Sequence, residues 1–250
     1  MSLVVTTTAE GIRWFELHRP DARNALNREL QAQLGEALTT AAVDGGVRAL
    51  VITGSGSAFS AGGDLSRFDD TDHTTFRFDS HELTTVLQLP ERIEKPVLAA
   101  INGVATGAGL QLAMACDLRI ASDRARLLWR EGLLGLLPSH GGITRLAAMV
   151  GLGRARDLVL GGGDLDAEAA QAAGLVTEVV AHDDLAARTE NRIKRILERS
   201  SDAYAVSKRV LRLAAADLDR GMALETLGQS LLVTTDEHRR RMDAARGGER

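Results

Sequence analysis

Two glycine-rich turns contain the residues of this sequence that are best placed to bind an anionic group. The first is Ser60-Ala-Gly-Gly-Asp64 and the second is Gly107-Ala-Gly109. Each follows an apolar run that predicts a buried strand, and the second also precedes a predicted helix. Glycines permit positive φ and close approach of backbone N–H groups, while a helix N-terminus adds unpaired N–H donors. Taken singly, each turn is equally typical of close backbone packing.

Nucleotide binding is the first chemistry that such turns suggest. The pattern Gly103-x-x-x-Gly107-x-Gly109 resembles the glycine motif of short-chain dehydrogenases, and Tyr204-x-x-x-Lys208 resembles their catalytic pair. That glycine motif normally ends the first strand of a chain, whereas here it begins near residue 103. Tyr204 also falls in a predicted amphipathic helix. The position of the motif therefore disfavours a dehydrogenase.

Serine hydrolysis is the second alternative. Ala58-x-Ser60-x-Gly62 approximates a nucleophile elbow, but Ala58 stands where the first glycine is expected. The sequence has six histidines, none of them in the context of a hydrolase motif. Schiff-base chemistry would need one of only three lysines, and none adjoins a predicted site. Both classes are therefore disfavoured.

Acyl-thioester chemistry is the third alternative, and an ordered set of five motifs favours it. The motifs are Arg19-Pro20-x-x-Arg23-Asn24-Ala25-Leu26-Asn27, Phe59-Ser-Ala-Gly-Gly-Asp64-Leu65, Ile101-Asn-Gly-Val-Ala-Thr-Gly-Ala-Gly109, Cys116-Asp117-Leu118-Arg119 and Gly141-Gly142-x-x-Arg145-Leu146. Together they resemble the crotonase (enoyl-CoA hydratase/isomerase) superfamily, in order, from about residue 10 to 180. The resemblance implies an α/β fold: a ββα spiral core over residues 1–185 with the acyl-CoA site, and a helical C-terminal trimerisation region over residues 186–250.

The same resemblance implies how the two turns are used. Backbone N–H groups of Gly63 and Ala108 would form an oxyanion hole for a thioester enolate, although the family usually has glycine at the position of Ala108. Two preorganised donors in a dry site suit such a charge. The residues at the family's CoA-contact positions are Arg23, Ala25, Ala61, Asp64 and Leu65.

Two further positions decide the expected reaction. Family hydratases use two glutamates, but Gln111 occupies the first position and Glu131 the second. A carboxamide orients water without taking its proton, so hydration should be slow. One glutamate suffices to move a proton between C2 and C4, which predicts double-bond isomerisation. The alternatives are a slow 2-enoyl-CoA hydratase, a non-catalytic acyl-CoA-binding protein and, for Glu131 itself, an ion pair with Arg130 or another arginine.

The residues after Glu131 disfavour two branches of the family. The dienoyl-CoA isomerase and dehalogenase branches place an aspartate eight residues after this glutamate, where Ser139 stands here, so both are disfavoured. His140 adjoins that position. It is expected at the surface or behind the site, and it would act as a surrogate acid or base only if it faced the acyl carbons.

Composition limits the remaining partners. The 250 residues carry a net charge of −4, which gives no indication of nucleic acid or an anionic membrane as partner. The single cysteine, Cys116, excludes an internal disulfide and a cysteine-based zinc site. No targeting segment or apolar run of about 18 residues is visible. We therefore expect a cytoplasmic protein, and the resemblance implies a homotrimer or hexamer that binds an acyl-CoA and needs no metal or separate cofactor.

The elements that must position these residues follow from periodicity. Apolar runs predict strands at 3–7, 12–17, 47–53 and 97–101, and Asn27 is predicted to cap a helix. Residues 66–82 are polar without a period, so they are expected to form a mobile surface segment. Helices are also predicted at about 143–150 and near 154–160. From residue 185 the chain is expected to be helical.

Overall fold

Ten strands in two sheets form the framework of the computed structural model, which describes residues 2–68, 72–214, 222, 226–229, 231–232 and 234–247. The strands are β1 (Leu3–Thr7), β2 (Ile12–Leu17), β3 (Ala49–Gly54), β4 (Ala58–Ser60), β5 (Val97–Ile101), β6 (Val104–Thr106), β7 (Leu118–Ser122), β8 (Arg126–Leu128), β9 (Asp164–Asp166) and β10 (Glu178–Val180). The larger sheet has the order β1-β2-β3-β5-β7-β10 and the smaller has the order β4-β6-β8-β9. Pairing is parallel except for β1 with β2 and β8 with β9.

The described helices surround these sheets. They are α1 (Arg28–Val43), α2 (His73–Leu87), α3 (Leu89–Arg92), α4 (Gly107–Ala115), α5 (Gly142–Gly161), α6 (Ala167–Ala172), α7 (Leu185–Leu197), α8 (Ser201–Ala214) and α9 (Asp236–Gly247). Short 3₁₀ helices lie at Pro20–Ala22, Leu65–Phe68, Glu131–Leu134 and His182–Asp184. The predicted α/β class and the helical nature of the described C-terminal residues are confirmed. The division at residue 185 stays a prediction.

The central strands are buried on both faces, as their unbroken apolar sequences predict. On β5, Ala99 and its alternate neighbours join the main core, which also contains the buried leucines of α1. Leu98 and Ala100 point to the other face and join a smaller core that includes Leu185 and Ile193 of α7. The alternation of side chains along a strand thus divides one apolar run between two helical layers.

Helix α1 begins where its sequence predicts. The Asn27 side chain accepts a hydrogen bond of 2.9 Å from the backbone N–H of Leu30, which satisfies one orphan donor of the first turn. The inward face then repeats at helical spacing through Leu30, Leu34, Leu38 and Ala41, all fully buried. This packing fixes the polar link that precedes the helix, from which part of the site is built.

Residues 72–82 are mostly exposed, as expected for a surface segment, but the sequence did not predict the helix that they form. Helix α2 occupies residues 73–87, and the Asp72 side chain caps it by accepting from the N–H groups of Thr74 and Thr75. Leu83 and Leu87 supply its buried apolar contacts. Because so few positions are apolar and buried, the helical period is weak in the sequence. Residues 69–71 lie outside the described part.

Helix α5 joins two segments that were predicted separately, at 143–150 and 154–160. The join is at Gly151, whose φ of 76° is not helical, so the two predicted segments persist on either side of a kink. Among the described residues, no helix is long and apolar enough to cross a bilayer.

Candidate active site

The two glycine-rich turns lie directly against each other. Gly62 has a φ of +92°, and a β-carbon placed there would lie 2.9 Å from the carbonyl oxygen of Thr106 and 3.2 Å from the nitrogen of Ala108. A β-carbon on Gly109 would lie only 2.5 Å from that of Ser60. Real side chains do not fit at these separations, so the glycines permit the close packing. The packing brings the two turns together at one cavity.

A buried asparagine supports the first turn, a role that its place in the motif at 19–27 did not predict. Asn24 has a left-handed φ of 58° and donates to the carbonyl oxygens of Ser55 and Ala58 at 2.9 and 2.8 Å. Ser60 is fully buried, donates to the Asn24 carbonyl at 2.8 Å and accepts from the Gly62 N–H at 3.2 Å. These bonds give Ser60 a structural role and contradict the nucleophile-elbow alternative. Asparagine in an irregular polar link, where it tolerates left-handed φ, was the available signal.

A cavity of about 590 Å³ opens at the two turns. Of the predicted site residues, it is lined by Ala61, Gly63, Leu65, Ala108, Gln111 and Glu131. Much of the remaining wall is apolar and comes from Phe76, Leu83, Leu134, Leu136 and Leu137. Its shape and composition suit an acyl chain whose polar end lies at the turns.

Three of the predicted CoA-contact residues lie outside this cavity wall and shape the first turn instead. Arg19 donates to the Ala25 carbonyl at 2.6 Å and forms an ion pair of 2.9 Å with Asp64. Arg23 has a left-handed φ of 49°, its side chain is exposed, and its carbonyl accepts from the Ala61 N–H at 2.8 Å. Arg23, Ala25 and Asp64 are therefore near the predicted site but do not line its pocket.

The two amides predicted to bind an oxyanion both belong to residues of the cavity wall. Leu26 donates to the Gly62 carbonyl at 2.7 Å, and Asp64 donates to the Leu26 carbonyl at 3.2 Å. Because successive amides of an extended chain point in opposite directions, this pairing turns the Gly63 N–H away from Leu26. The Ala108 N–H lies in the first turn of α4, where N–H groups have no acceptor within the helix.

Gln111 and Glu131 meet across the cavity. Gln111 projects from α4, and Glu131 begins the 3₁₀ helix that follows β8. The Nε2 of Gln111 donates to Oε1 of Glu131 at 3.1 Å. Gln111 Oε1 and Glu131 Oε2 are buried without a hydrogen-bond partner in the described part of the chain. A β-carbon on Gly142 would lie 3.0 Å from the same Nε2, so α5 packs closely behind the amide.

Burial controls the protonation of Glu131. Removal of the carboxylate from water raises its pKa above the usual value, and backbone N–H groups of Glu131 and Arg130 oppose that shift only in part. The Arg130 side chain forms its ion pair with Asp164 rather than with Glu131. The alternative of a Glu131–Arg130 ion pair is therefore wrong. A carboxyl group of raised pKa in a cavity is well suited to carry a proton.

His140 is half-buried and lies in the cavity wall. Its Nδ1 is 2.7 Å from Oγ1 of Thr84 on α2, and Thr84 Oγ1 donates to the Ser80 carbonyl at 2.7 Å. Ser139 also lines the cavity. The wall has a second carboxylate, Asp79, which is ion-paired with Arg28.

The pair Tyr204 and Lys208 serves a different purpose. The Tyr204 hydroxyl donates to Asp117 at 3.0 Å, and Lys208 forms an ion pair of 2.8 Å with the same carboxylate. The pair thus anchors α8 to the start of β7 and is not part of the cavity wall. This placement contradicts the dehydrogenase alternative. Burial raises the pKa of the Cys116 thiol to about 12, as befits a packing residue.

The described residues contain no cluster of three or more His, Cys, Asp or Glu side chains that could hold a metal ion. The cavity wall offers the Glu131 carboxyl group, the ion-paired Asp79 carboxylate, the His140 imidazole and two backbone donors around largely apolar side chains.

Comparisons with known proteins agree with this geometry. The sequence model described as "Enoyl-CoA hydratase/isomerase" matches residues 7–246. A crotonyl-CoA hydratase of Syntrophomonas wolfei is 34% identical over 243 residues, which cover 96% of this chain and 94% of the relative. A 2,3-dehydroadipyl-CoA hydratase of Escherichia coli is 35% identical over 239 residues, with 95% and 92% covered. The crystal structure of an enoyl-CoA hydratase from Bacillus anthracis superposes with a TM-score of 0.94 at 28% identity, over 99% of this chain and 97% of that one. This chain therefore belongs to the enoyl-CoA hydratase/isomerase family.

Proposed function

We propose that the protein acts on an acyl-CoA thioester and moves a double bond from the 3- to the 2-position, with Glu131 carrying the proton. The observation that carries this proposal is the contact between Gln111 and Glu131. Where two carboxylates would be needed to activate water and protonate carbon, the cavity places one carboxylate beside an amide. An amide donates and accepts hydrogen bonds but does not take a proton from water.

Isomerisation needs only the groups that the cavity contains. Glu131 Oε2 takes a proton from C2 of the 3-enoyl thioester, and the negative charge moves to the thioester oxygen. The N–H groups of Gly63 and Ala108 stabilise that oxyanion, and a donor of this type is worth about 3–4 kcal/mol. The protonated carboxyl then returns the proton to C4. The Gln111 amide donates a hydrogen bond to Oε1 of Glu131, so Oε2 is the carboxylate oxygen that moves the proton.

The apolar wall supports an acyl substrate. Leu65, Phe76 and Leu83 line one part of the cavity, and three leucines of residues 134–137 line another. The CoA moiety would then pass Ala61 and Leu65, with Arg23, Ala25 and Asp64 around the outer side of the turn. Family membership supports this choice of thioester.

Hydration of a 2-enoyl-CoA is the second candidate, because the two relatives compared above are named hydratases. We expect this activity to be slow, since Gln111 replaces a general base, a group that typically contributes about 10²–10⁴-fold. A protein that binds acyl-CoA without turnover is the third candidate.

Purified protein should be assayed with 3-hexenoyl-CoA and 2-butenoyl-CoA, in the wild type and in Glu131→Gln. The proposal is supported if the wild type isomerises 3-hexenoyl-CoA and Glu131→Gln lowers that rate by about 10²–10⁴-fold. Fast hydration without isomerisation would replace it with the hydratase, and tight binding without turnover of either substrate would replace it with the binding protein. Isomerisation that is unchanged in Glu131→Gln would remove the glutamate from the mechanism.

Self-association into a homotrimer or hexamer is also proposed. Large apolar side chains remain exposed on one chain, among them Leu133 at 76%, Leu160 at 80% and Leu211 at 74%. Contact between copies would remove such surface from water. Light scattering of the purified protein measures the assembly, and a monomer at micromolar concentration would contradict it.

A further inference from the structure

We propose that Ala108 determines which acyl chains the cavity accepts, by excluding thioesters that are branched at C2. The inference deepens the proposed function and rests on it, because it takes the thioester oxygen to be bound by the Ala108 N–H. It names the substrate class as acyl-CoA thioesters whose C2 carries no methyl group. It holds whether the double bond is moved or hydrated, since both reactions pass through an enolate of the same bound thioester.

Ala108 and Gln111 share the side of α4 that borders the cavity. The residues of α4 in the cavity wall are Gly107, Ala108 and Gln111. Ala108 and Gln111 are three residues apart, so they are neighbours on the helix surface. Gly109 lies on another side of the helix, where a β-carbon would lie only 2.5 Å from that of Ser60. This close packing fixes the rotation of the first turn of α4, with Ala108 and Gln111 toward the cavity.

The methyl group of Ala108 lies beside the proposed position of the thioester oxygen. Each Cα–Cβ bond of a helix is tilted toward the N-terminus, and Ala108 is the second residue of α4. The methyl group therefore projects toward the same end of the helix as the Ala108 N–H. The second proposed donor, Gly63, has no side chain, and nothing in the described part of the chain lies within 4 Å of a β-carbon placed there. Of the two donors, only Ala108 thus brings a side-chain carbon to the thioester.

The packing of α4 prevents this methyl group from moving away. Alanine has no side-chain torsion, so its β-carbon moves only with the backbone. Ala108 is 6% exposed, and every residue of α4 from Ala108 to Ala115 is buried. Closely packed interiors accommodate added volume only at a cost. The Ala108 methyl group is therefore a fixed part of the wall around C1 and C2.

The shape of the enolate explains why a branch at C2 is excluded. In the enolate, as in a conjugated 2-enoyl thioester, the two substituents of C2 lie in the plane of the thioester, one beside the oxygen and one beside the sulfur. An unbranched chain places hydrogen beside the oxygen, next to Ala108, and C3 beside the sulfur. When C2 carries a methyl group, both substituents are carbon, so a carbon meets Ala108 in either orientation.

The test compares two isomers, 2-methyl-2-butenoyl-CoA and 3-methyl-2-butenoyl-CoA, which differ only in the position of one methyl group. Dissociation constants are measured by calorimetry on the full chain, with Glu131→Gln present in every sample to prevent turnover. With Ala108 in place, the 2-methyl isomer should bind more weakly by about 10–200-fold, the usual effect of one methyl group in a fitted pocket. Ala108→Gly removes the obstructing carbon, so the ratio of the two dissociation constants should fall about tenfold or more.

Ala167→Gly is the matched control. Ala167 is a buried alanine in the first turn of α6 and does not belong to the cavity wall. The substitution carries the same loss of helix propensity, so it should leave the ratio of the two dissociation constants unchanged. Ala108→Ser adds an oxygen to the β-carbon and should raise the ratio, and it decides the question if Ala108→Gly does not fold.

The proposal is supported if the ratio falls in Ala108→Gly and stays constant in Ala167→Gly. Equal affinities for the two isomers with Ala108 in place would overturn it, as would an unchanged ratio in Ala108→Gly or, where that variant does not fold, in Ala108→Ser. Binding of 2-butenoyl-CoA but of neither isomer also overturns it, because the position of the branch would then be irrelevant. Absence of isomerisation in the wild type contradicts the proposed function but leaves this binding comparison intact.

Discussion

Gln111 and Glu131 are joined by a hydrogen bond of 3.1 Å from the amide nitrogen of the first to one carboxylate oxygen of the second. The two remaining side-chain oxygens of the pair are buried without a partner in the described part of the chain. Buried polar atoms without partners are unfavourable, and they are most often found where a ligand or water completes the bonding. The pair therefore has unused hydrogen-bonding capacity at the cavity, and in the proposed mechanism its amide half is the reason that hydration is slow.

Gln111→Glu should increase hydration of 2-butenoyl-CoA. The substitution places at this position a carboxylate that can take a proton from water. A general base typically contributes about 10²–10⁴-fold to a rate, so we expect the hydration rate to rise at least about tenfold. The rate is measured as loss of the conjugated enoyl thioester. Gln171→Glu makes the same change of charge at an exposed position of α6 and should have no effect. No gain in Gln111→Glu would mean that the cavity no longer positions water.

Isomerisation should be lost as pH falls through the pKa of Glu131. Burial raises that pKa, and the carboxylate is the form that takes the proton from C2. Activity is therefore present above the raised pKa and absent below it, with a midpoint at higher pH than that of a solvent-exposed glutamate. The measurement is kcat/KM for 3-hexenoyl-CoA against pH.

The variant Gln111→Glu tests the origin of that midpoint. A second carboxylate beside Glu131 disfavours ionisation of the pair, so the midpoint should move to still higher pH. A midpoint at the value of an ordinary glutamate in the wild type, or no movement in the variant, would contradict the assignment of the profile to Glu131.

The sequence was most informative where local patterns decide structure. The strands at 3–7, 12–17 and 97–101 were predicted with their observed bounds, because β-branched and apolar runs are bounded there by turn residues. Helix α2 was missed since it buries few apolar side chains, and its N-cap at Asp72 was the one clear signal. The sequence thus predicts a strand or helix well only when buried apolar residues recur along it at the spacing typical of that element.

The site was predictable in its members but not in its contacts. Gly63, Ala108, Gln111 and Glu131 were selected from motifs, and the structure brings all four to one cavity. The bond between Gln111 and Glu131 joins residues 20 apart, and the contact of His140 with Thr84 joins residues 56 apart. The spacing of apolar residues in the sequence does not reveal such contacts, because they depend on how separate turns and helices pack against each other.

Lys208→Met should destabilise the protein strongly. The Lys208 and Asp117 side chains are only 9% and 15% exposed, and burial already raises the pKa of Asp117. Removing the cation leaves a buried carboxylate without its charge partner, which typically costs about 3–5 kcal/mol. Lys194→Met breaks an exposed ion pair with Glu10 and should cost less than about 1 kcal/mol. Urea unfolding measures the free energy of unfolding of both variants. Equal losses of stability in the two would contradict a structural role for the Asp117 network.

Gly62→Ala and Gly63→Ala should separate folding from catalysis at adjacent positions. At Gly62 a side chain meets a φ of +92° and the Thr106 carbonyl at 2.9 Å, so overpacking and backbone strain together should cost about 2–4 kcal/mol. At Gly63 nothing lies within 4 Å of the new β-carbon, so stability should change by less than about 0.5 kcal/mol. The methyl group of Gly63→Ala would instead enter the cavity beside the proposed oxyanion donor and raise KM for 3-hexenoyl-CoA. Urea unfolding and steady-state kinetics on both variants check this contrast. Unchanged kinetics in Gly63→Ala would place the thioester away from this turn, and wild-type stability in Gly62→Ala would show that the two turns separate without cost.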